Sequence, residues 1–123
     1  MNYARAKACL LSQPEAVEDY PFGPEAAVFK VRNKMFGLLM EGKEEARINL
    51  KCDPDEALAL RDIFPAVTPG YHMNKKHWNT VLLDGSVPDG EIERMIDNSY
   101  RLVVKGMPAN KRPLLTNNKK NPA

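Results

Sequence analysis

The segment Tyr71–Val81 gathers most of the side chains in this chain that could do chemistry. It holds both histidines, the only tryptophan, two adjacent lysines and two asparagines. Such residues suit contact with a nucleic acid, because ammonium groups pair with phosphates and imidazole and amide groups donate hydrogen bonds. An indole can also stack on an unpaired base. The predicted nucleic-acid contacts are His72, Asn74, Lys75, Lys76, His77, Trp78 and Asn79, extended by Arg32 and Lys34.

Catalysis and metal binding are less well supported by the same side chains. His72 and His77 could approach each other across a hairpin, but a zinc site needs three or four ligands, and no acid lies between residues 63 and 84. The chain has no nucleophile elbow, phosphate-binding glycine loop or dinucleotide fingerprint. The sequence therefore predicts no catalytic residue, no metal and no cofactor, and we expect a protein that is not an enzyme.

Composition and charge narrow the class of protein further. At 123 residues with 43% hydrophobic content, the chain has the size and composition of one ordinary globular domain. A net charge of +2 is too small to indicate a nucleic-acid or membrane partner by itself. The charges are segregated, however, because residues 84–97 carry five acids against one base, and residues 98–123 carry six bases and no acid. A local basic face can therefore form.

The expected location is the cytoplasm. Cys9 and Cys52 stand far apart and do not suit a secreted disulfide scaffold, so two reduced thiols are expected. The N-terminal residues do not resemble a signal peptide. No run approaches the roughly 20 apolar residues of a membrane span. The sequence therefore predicts a monomer without membrane contact.

Hydrophobic periodicity and turn residues predict the order α-β-β-β-α-β-β-α, with residues 13–26 as a loop. This order favours an α+β fold, a two-layer α/β sandwich with a mainly antiparallel sheet. Asp53 is predicted to cap the second helix and Ser86 the third. Tight turns are expected at Asn33-Lys34 and Asn74-Lys75-Lys76. The predicted strands cover residues 27–32, 35–41, 47–51, 67–74 and 77–84, and the helices begin near residues 2, 54 and 87.

Residues 71–81, followed by Leu83–Asp89, resemble the MmcQ/YjbR-like family of small bacterial proteins. The family pattern joins His, a hydrophobic residue, Asn-Lys, a variable residue, His-Trp and Thr-Val to a following Leu-Asp-Gly-Ser-hydrophobic-Pro-Asp, and this chain carries each part. The resemblance covers residues 3 to 112 and implies a single domain over 1–112, with 113–123 as a polar, frayed tail. It implies a CyaY-like or secretion-chaperone-like fold, a DNA-binding label based on two hairpin wings, and no catalytic residue.

Two functions are therefore open from the sequence. The first is weak, salt-dependent binding of DNA or another nucleic acid through a basic β-hairpin. The second is a protein-interaction or chaperone-like module without catalysis that uses the sheet face, where methionines such as Met35, Met40 and Met73 could form an adaptable apolar patch.

Overall fold

Six strands form one antiparallel sheet in the computed structural model, which describes residues 1–70 and 73–114. The spatial order of the strands is β1-β2-β3-β4-β6-β5, so only β5 and β6 depart from chain order. The α+β class and the predicted order of the main elements are confirmed. The elements are α1 (Tyr3–Leu11), β1 (Val17–Asp19), β2 (Ala26–Val31), β3 (Lys34–Met40), β4 (Arg47–Lys51), α2 (Pro54–Ile63), β5 (Val67–Pro69), β6 (Trp78–Leu82), α3 (Asp89–Lys105) and a 3-10 turn (Ala109–Lys111).

The two faces of the sheet have different roles because side chains alternate along each strand. Phe29, Leu39, Ile48 and Val81 point to one face, where they join buried residues of all three α-helices in one hydrophobic core. The opposite face presents a row that crosses the sheet in register, and within the described residues no helix packs on it. That row consists of Asp19, Val28, Leu38, Asn49, Thr80 and Thr68.

Helix α3 is the main support of the sheet. Its buried stripe includes Ile92, Ile96 and Tyr100, which recur at helical spacing. Between β3 and β4, beyond their last register pair, Ser99 Oγ accepts a hydrogen bond from Lys51 N at 2.8 Å and donates one to Phe36 O at 2.6 Å. The serine hydroxyl therefore takes the place of the next ladder bond and fixes the helix on the sheet.

The helix starts follow two different rules. Asp53 caps α2 as predicted, since its Oδ2 accepts from the backbone N–H groups of Asp55 and Glu56, and Pro54 occupies the first helical position. The predicted cap of α3 by Ser86 is wrong, because Pro88 precedes the helix and makes no side-chain cap bond. Ser86 instead donates from Oγ to the Asp84 carboxylate at 2.6 Å, which closes the local turn.

Three further details differ from the expectations. The segment predicted as a loop contains β1, which pairs with β2 from Val17↔Lys30 to Asp19↔Val28. The tight turn lies at Arg32–Asn33, one residue earlier than predicted, because Lys34 already pairs with Val31. Both turn residues have positive φ, 48° and 66°, as a two-residue hairpin of this hand requires. Strand β5 ends at Pro69, since proline cannot donate to a ladder.

The chain directly after the 3-10 turn is attached to the domain. Pro113 is buried, and the Leu114 N–H donates to Glu15 Oε2 at 3.0 Å, so the chain is attached to the domain up to this point. Residues 115–123, which make up most of the predicted frayed tail, lie outside the described residues. None of the described helices combines the length and the apolar character needed to cross a membrane.

Candidate nucleic-acid interface

The connection between β5 and β6, residues 70–77, carries the lysine pair at its tip. Asn74 Oδ1 accepts from Lys76 N at 3.0 Å, and the Asn74 carbonyl accepts from His77 N at 3.1 Å, which closes a compact turn. The His77 carbonyl in turn accepts from Cys52 N at 2.7 Å, so the turn is joined to the end of β4. Lys75 and Lys76 are exposed on this fixed turn, and Lys75 Nζ also reaches Gly70 O at 3.3 Å.

Arg61, in the last turn of α2, joins this connection to the helix by hydrogen bonds. Its Nε donates to Asn79 Oδ1 at 2.7 Å, and its Nη2 donates to the carbonyl oxygens of Lys75 and, at 3.4 Å, Trp78. Asn79 completes the contact by donating from Nδ2 to Ala57 O at 3.3 Å. No carboxylate in the described residues forms an ion pair with Arg61, so its positive charge adds to that of the two lysines above it.

Trp78 begins β6 and is half-buried. Because Asn79 faces α2, alternation places Trp78 on the face of the sheet without helices, beside its register partner Lys51. Gly70 lies directly against the tryptophan: a Cβ at Gly70 would stand 2.7 Å from Trp78 Cβ, closer than real carbon atoms approach. Glycine is therefore required there, and Trp78 keeps part of its surface accessible.

The β2–β3 turn carries the two predicted contacts outside the 71–81 segment. Arg32 is engaged by a carboxylate, because its Nε and Nη2 donate to the two oxygens of Glu15 at 2.7 and 3.2 Å. This bidentate hydrogen bond is the main reason that the pKa of Glu15 lies below its usual value. Lys34 is exposed, and its ammonium has no acidic partner in the part of the chain that the structure describes.

The predicted contacts therefore separate into groups. Asn79 is 3% exposed and bonds to α2, which removes it from any surface contact. Asn74 is exposed, but its carboxamide oxygen already caps the turn. His77 is half-buried like Trp78, and His72 lies outside the described residues, as does the histidine pair considered for a metal. The cations that remain available at these two turns are Lys34, Lys75 and Lys76.

These cations lie at one end of the sheet. The β2–β3 turn, the end of β4 and the start of β6 share that end, because neighbouring strands are antiparallel. The 107–111 segment after α3 lines a cleft with Arg32 and Lys34 and adds Lys111. We call Lys34, Lys75 and Lys76 the basic end. The opposite end carries the β3–β4 connection and the start of α3, and we call it the acidic end, defined by Glu41, Glu44, Glu45, Asp84 and Asp89.

Residues that sequence reasoning missed include Arg61 and Lys111. The available signal for Arg61 was its position four residues after Ala57 on the core-facing side of α2, where an unpaired cation needs acceptors. The position of Lys111 could not be predicted, because only the fold brings the segment after α3 beside the β2–β3 turn. Cys9 and Cys52 are free thiols, and burial raises the pKa of Cys52 to about 11, which makes it a poor nucleophile at neutral pH.

The fold and this site define a small α+β domain with a six-stranded antiparallel sheet, helices on one face and a basic end. The YjbR family model matches residues 11–102, and the chain belongs to this family. It is 41% identical over 102 residues to the uncharacterised protein YbdF of Escherichia coli O157:H7, covering 83% of this chain and 84% of that protein. It is 36% identical over 105 residues to YjbR of Escherichia coli K12, covering 85% and 89%.

A solved structure shows the same fold. The crystal structure of the Deinococcus radiodurans protein DR2400, with the domain DUF419, superposes with a TM-score of 0.84 at 35% identity over 89% of this chain and 84% of that one. A crystal structure from Pseudomonas syringae gives a TM-score of 0.74 at 33% identity, over 83% of this chain and 98% of that one.

Proposed function

We propose that this protein binds nucleic acid through the phosphate backbone at its basic end and carries out no catalysis. The observation that carries the proposal is the exposure of three lysines on two neighbouring turns of the sheet. Lys34, Lys75 and Lys76 are exposed at one end of the sheet, whereas the acids of residues 41–45 and 84–89 lie at the other. The acids Asp53, Asp55 and Glu56 at the start of α2 share the end that carries the lysines, so the excess positive charge is confined to the two turns, which can attract a polyanion there.

The two turns at this end suit contact with more than one phosphate. Strands β3 and β6 are separated only by β4, so the strands that carry these turns lie about 10 Å apart, two strand spacings. This distance falls between the widths of the two grooves of B-DNA, about 6 and about 12 Å. Lys34 on one turn and Lys76 on the other can thus reach phosphates on both sides of a groove.

The accessible part of Trp78 supports a second mode of contact. Its ring lies on the helix-free face next to Lys51, so an unpaired base could stack on it while the lysines contact the backbone. The binding should be weak and independent of sequence, because these contacts involve few cations and no side chain aligned to read a base edge. Single-stranded DNA is expected to bind at least as well as duplex.

A pair of charge-matched variants tests this proposal. Lys76→Glu removes an exposed ammonium that makes no side-chain contact in the described residues, while Lys43→Glu makes the same change of net charge at the acidic end. Fluorescence anisotropy with a labelled single-stranded and a labelled duplex DNA, at several salt concentrations, measures both affinity and its salt dependence. We expect Lys76→Glu to weaken binding at least tenfold and to lower the slope of log K against log salt by about 1.

The control distinguishes a local interface from general attraction. Lys43→Glu should leave both affinity and slope within about twofold of the unchanged protein, because it lies far from the basic end. Equal losses in the two variants would contradict a defined interface. Absence of binding to either DNA at low salt would overturn the proposal and leave the helix-free face of the sheet as the candidate surface for a protein partner.

A further inference from the structure

A cleft of about 690 Å³ lies between the β2–β3 turn and the segment after α3. Its size is that of a site for a small molecule, which commonly occupies 300 to 1,000 Å³. Lys34 and Lys111 approach it from opposite walls, and Arg32 lies beside Lys34 on the turn. This arrangement differs from the exposed tip of residues 74–76, because two separate chain segments line an open cleft.

The walls of the cleft are fixed by contacts that do not use the two lysines. Glu15 holds both sides, since it binds Arg32 through both oxygens and accepts from Leu114 N at 3.0 Å. On the other wall, Arg112 donates from Nε to Met107 O and from Nη2 to Lys105 O, each at 3.1 Å. The site is therefore held in place before any ligand binds, which lowers the entropy lost on binding.

The charges that remain in the cleft are positive. Glu15 neutralises Arg32, but no carboxylate in residues 1–70 and 73–114 pairs with the ammonium groups of Lys34 or Lys111. Two opposed ammonium groups across a cleft favour an anion that can bridge them, and a diphosphate offers several acceptor oxygens to each. The amides of Asn33 and Asn110 add neutral hydrogen-bonding groups to the lining.

An apolar surface completes the site. Met107 and Pro108 line the cleft next to the lysines, and neither can donate a side-chain hydrogen bond. A ring or a hydrocarbon portion attached to the phosphates can pack there, since methionine adapts to irregular shapes. A bare inorganic ion would leave this wall unused.

We infer that this cleft binds a small phosphorylated molecule of the diphosphate class, with Lys34 and Lys111 as its anion contacts and Met107 and Pro108 against its non-phosphate portion. This site is distinct from the nucleic-acid contact at Lys75 and Lys76, and it does not depend on that proposal. Lys34 belongs to both surfaces, whereas Lys111 in the cleft and Lys76 at the tip separate them.

The test is a titration of the isotope-labelled protein followed by two-dimensional NMR, with pyrophosphate and then ADP as probes. Shift changes should concentrate at residues 32–34 and 107–112 and saturate. Lys111→Gln and Lys34→Gln should each weaken pyrophosphate binding at least fivefold, while Lys76→Gln, matched in charge, changes it by less than twofold. ADP should bind at least threefold more tightly than pyrophosphate because it also uses the apolar wall.

Each other outcome contradicts the inference. Equal weakening by Lys76→Gln and Lys111→Gln would show a diffuse basic surface rather than a site. Binding of a short oligonucleotide at residues 107–112, without binding of pyrophosphate or ADP, would assign the cleft to the nucleic-acid interface. An unperturbed amide spectrum of each variant without ligand confirms that a loss of affinity is not a loss of fold.

Discussion

The two turns at the basic end use arginine in opposite ways. At the β2–β3 turn, Arg32 is bound by the carboxylate of Glu15, so the pair contributes little net charge. At the β5–β6 connection, Arg61 is bound by carbonyl and amide oxygens of Lys75, Trp78 and Asn79, which satisfy its donors without neutralising it. The comparison shows that the positive field at a surface depends on what each base is bonded to, and not on how many bases the sequence contains.

Among the variants that test this comparison, Arg61→Ala should lower the free energy of unfolding the most. It leaves the buried Asn79 oxygen without its donor and releases the connection from α2, so we expect a loss of about 2–3 kcal/mol in the free energy of unfolding. Urea denaturation measures this loss of stability. Arg101→Ala is the control, since it removes an exposed ion pair with Asp97 and should cost less than about 1 kcal/mol. Similar losses in both variants would contradict a special role for Arg61.

The coupling between Arg61 and Asn79 should be the next largest effect. Asn79→Ala removes both the acceptor for Arg61 and the donor to Ala57 O. A double-mutant cycle of Arg61→Ala and Asn79→Ala should give a coupling energy of about 1–2 kcal/mol, measured by urea denaturation of all four proteins. Simple additivity of the two losses would show that the bond does not hold the connection to the helix.

Tyr100→Phe tests how much the hydrogen bond beside Glu15 stabilises the fold. The Tyr100 hydroxyl donates to Pro14 O at 2.7 Å, next to Glu15, so its removal should cost about 1 kcal/mol at neutral pH. Burial raises the pKa of Tyr100 from 10.0 to about 12. The stability linked to this raised pKa is therefore present below pH 10 and is lost as the pH rises through 12.

The pH profile of unfolding separates this tyrosine from the other alkaline groups. Cys52, whose pKa is raised to about 11, is present in both proteins, so its contribution cancels in the difference. The difference in stability between the unchanged protein and Tyr100→Phe should shrink between pH 10 and 12. A constant difference over this range would mean that the hydroxyl titrates alike in the folded and unfolded chains.

Glu15→Gln should have the smallest effect on stability, because the pair with Arg32 is exposed to solvent. The lowered pKa of Glu15 means that its stabilising contribution is present above its usual pKa of 4.5 and is lost as the pH falls through the lower value. Glutamine can still accept from Leu114 N, but it leaves the charge of Arg32 free. Pyrophosphate should then bind the cleft more tightly in NMR titrations at pH 7, because the freed charge of Arg32 outweighs the loss of one contact between the walls. Weaker binding would contradict this balance.

Local patterns predicted the fold where short-range rules decide it. The strands predicted from Ala27 and from Arg47, the Asp53-Pro54 helix start and the stripe along α3 were each confirmed. The predicted alternation held only in part, because Arg32 lies in the turn and Asn49, expected on a wet face, is buried. Strand β1 could not be predicted, because its three residues become a strand only by pairing with β2. Ser86 was misassigned because two chemically good partners, Asp84 before it and the helix after it, compete for one hydroxyl.

The candidate site was predictable in its composition but only partly in its geometry. Lys75 and Lys76 were placed correctly on a turn by the asparagine before them. The burial of Asn79 could have been inferred, because it alternates in phase with Val81, a core residue. The neutralisation of Arg32 by Glu15 could not, since it joins residues 17 positions apart through a turn and a strand whose placement needs the whole sheet.

The shortness of the two outer strands has a consequence for how this protein behaves at high concentration. Strand β1 has three residues, two of them acids, and β5 has three residues and ends at Pro69. Each edge therefore offers few free backbone groups to a neighbouring molecule. The sheet is protected against growth into fibres by the brevity of its two borders.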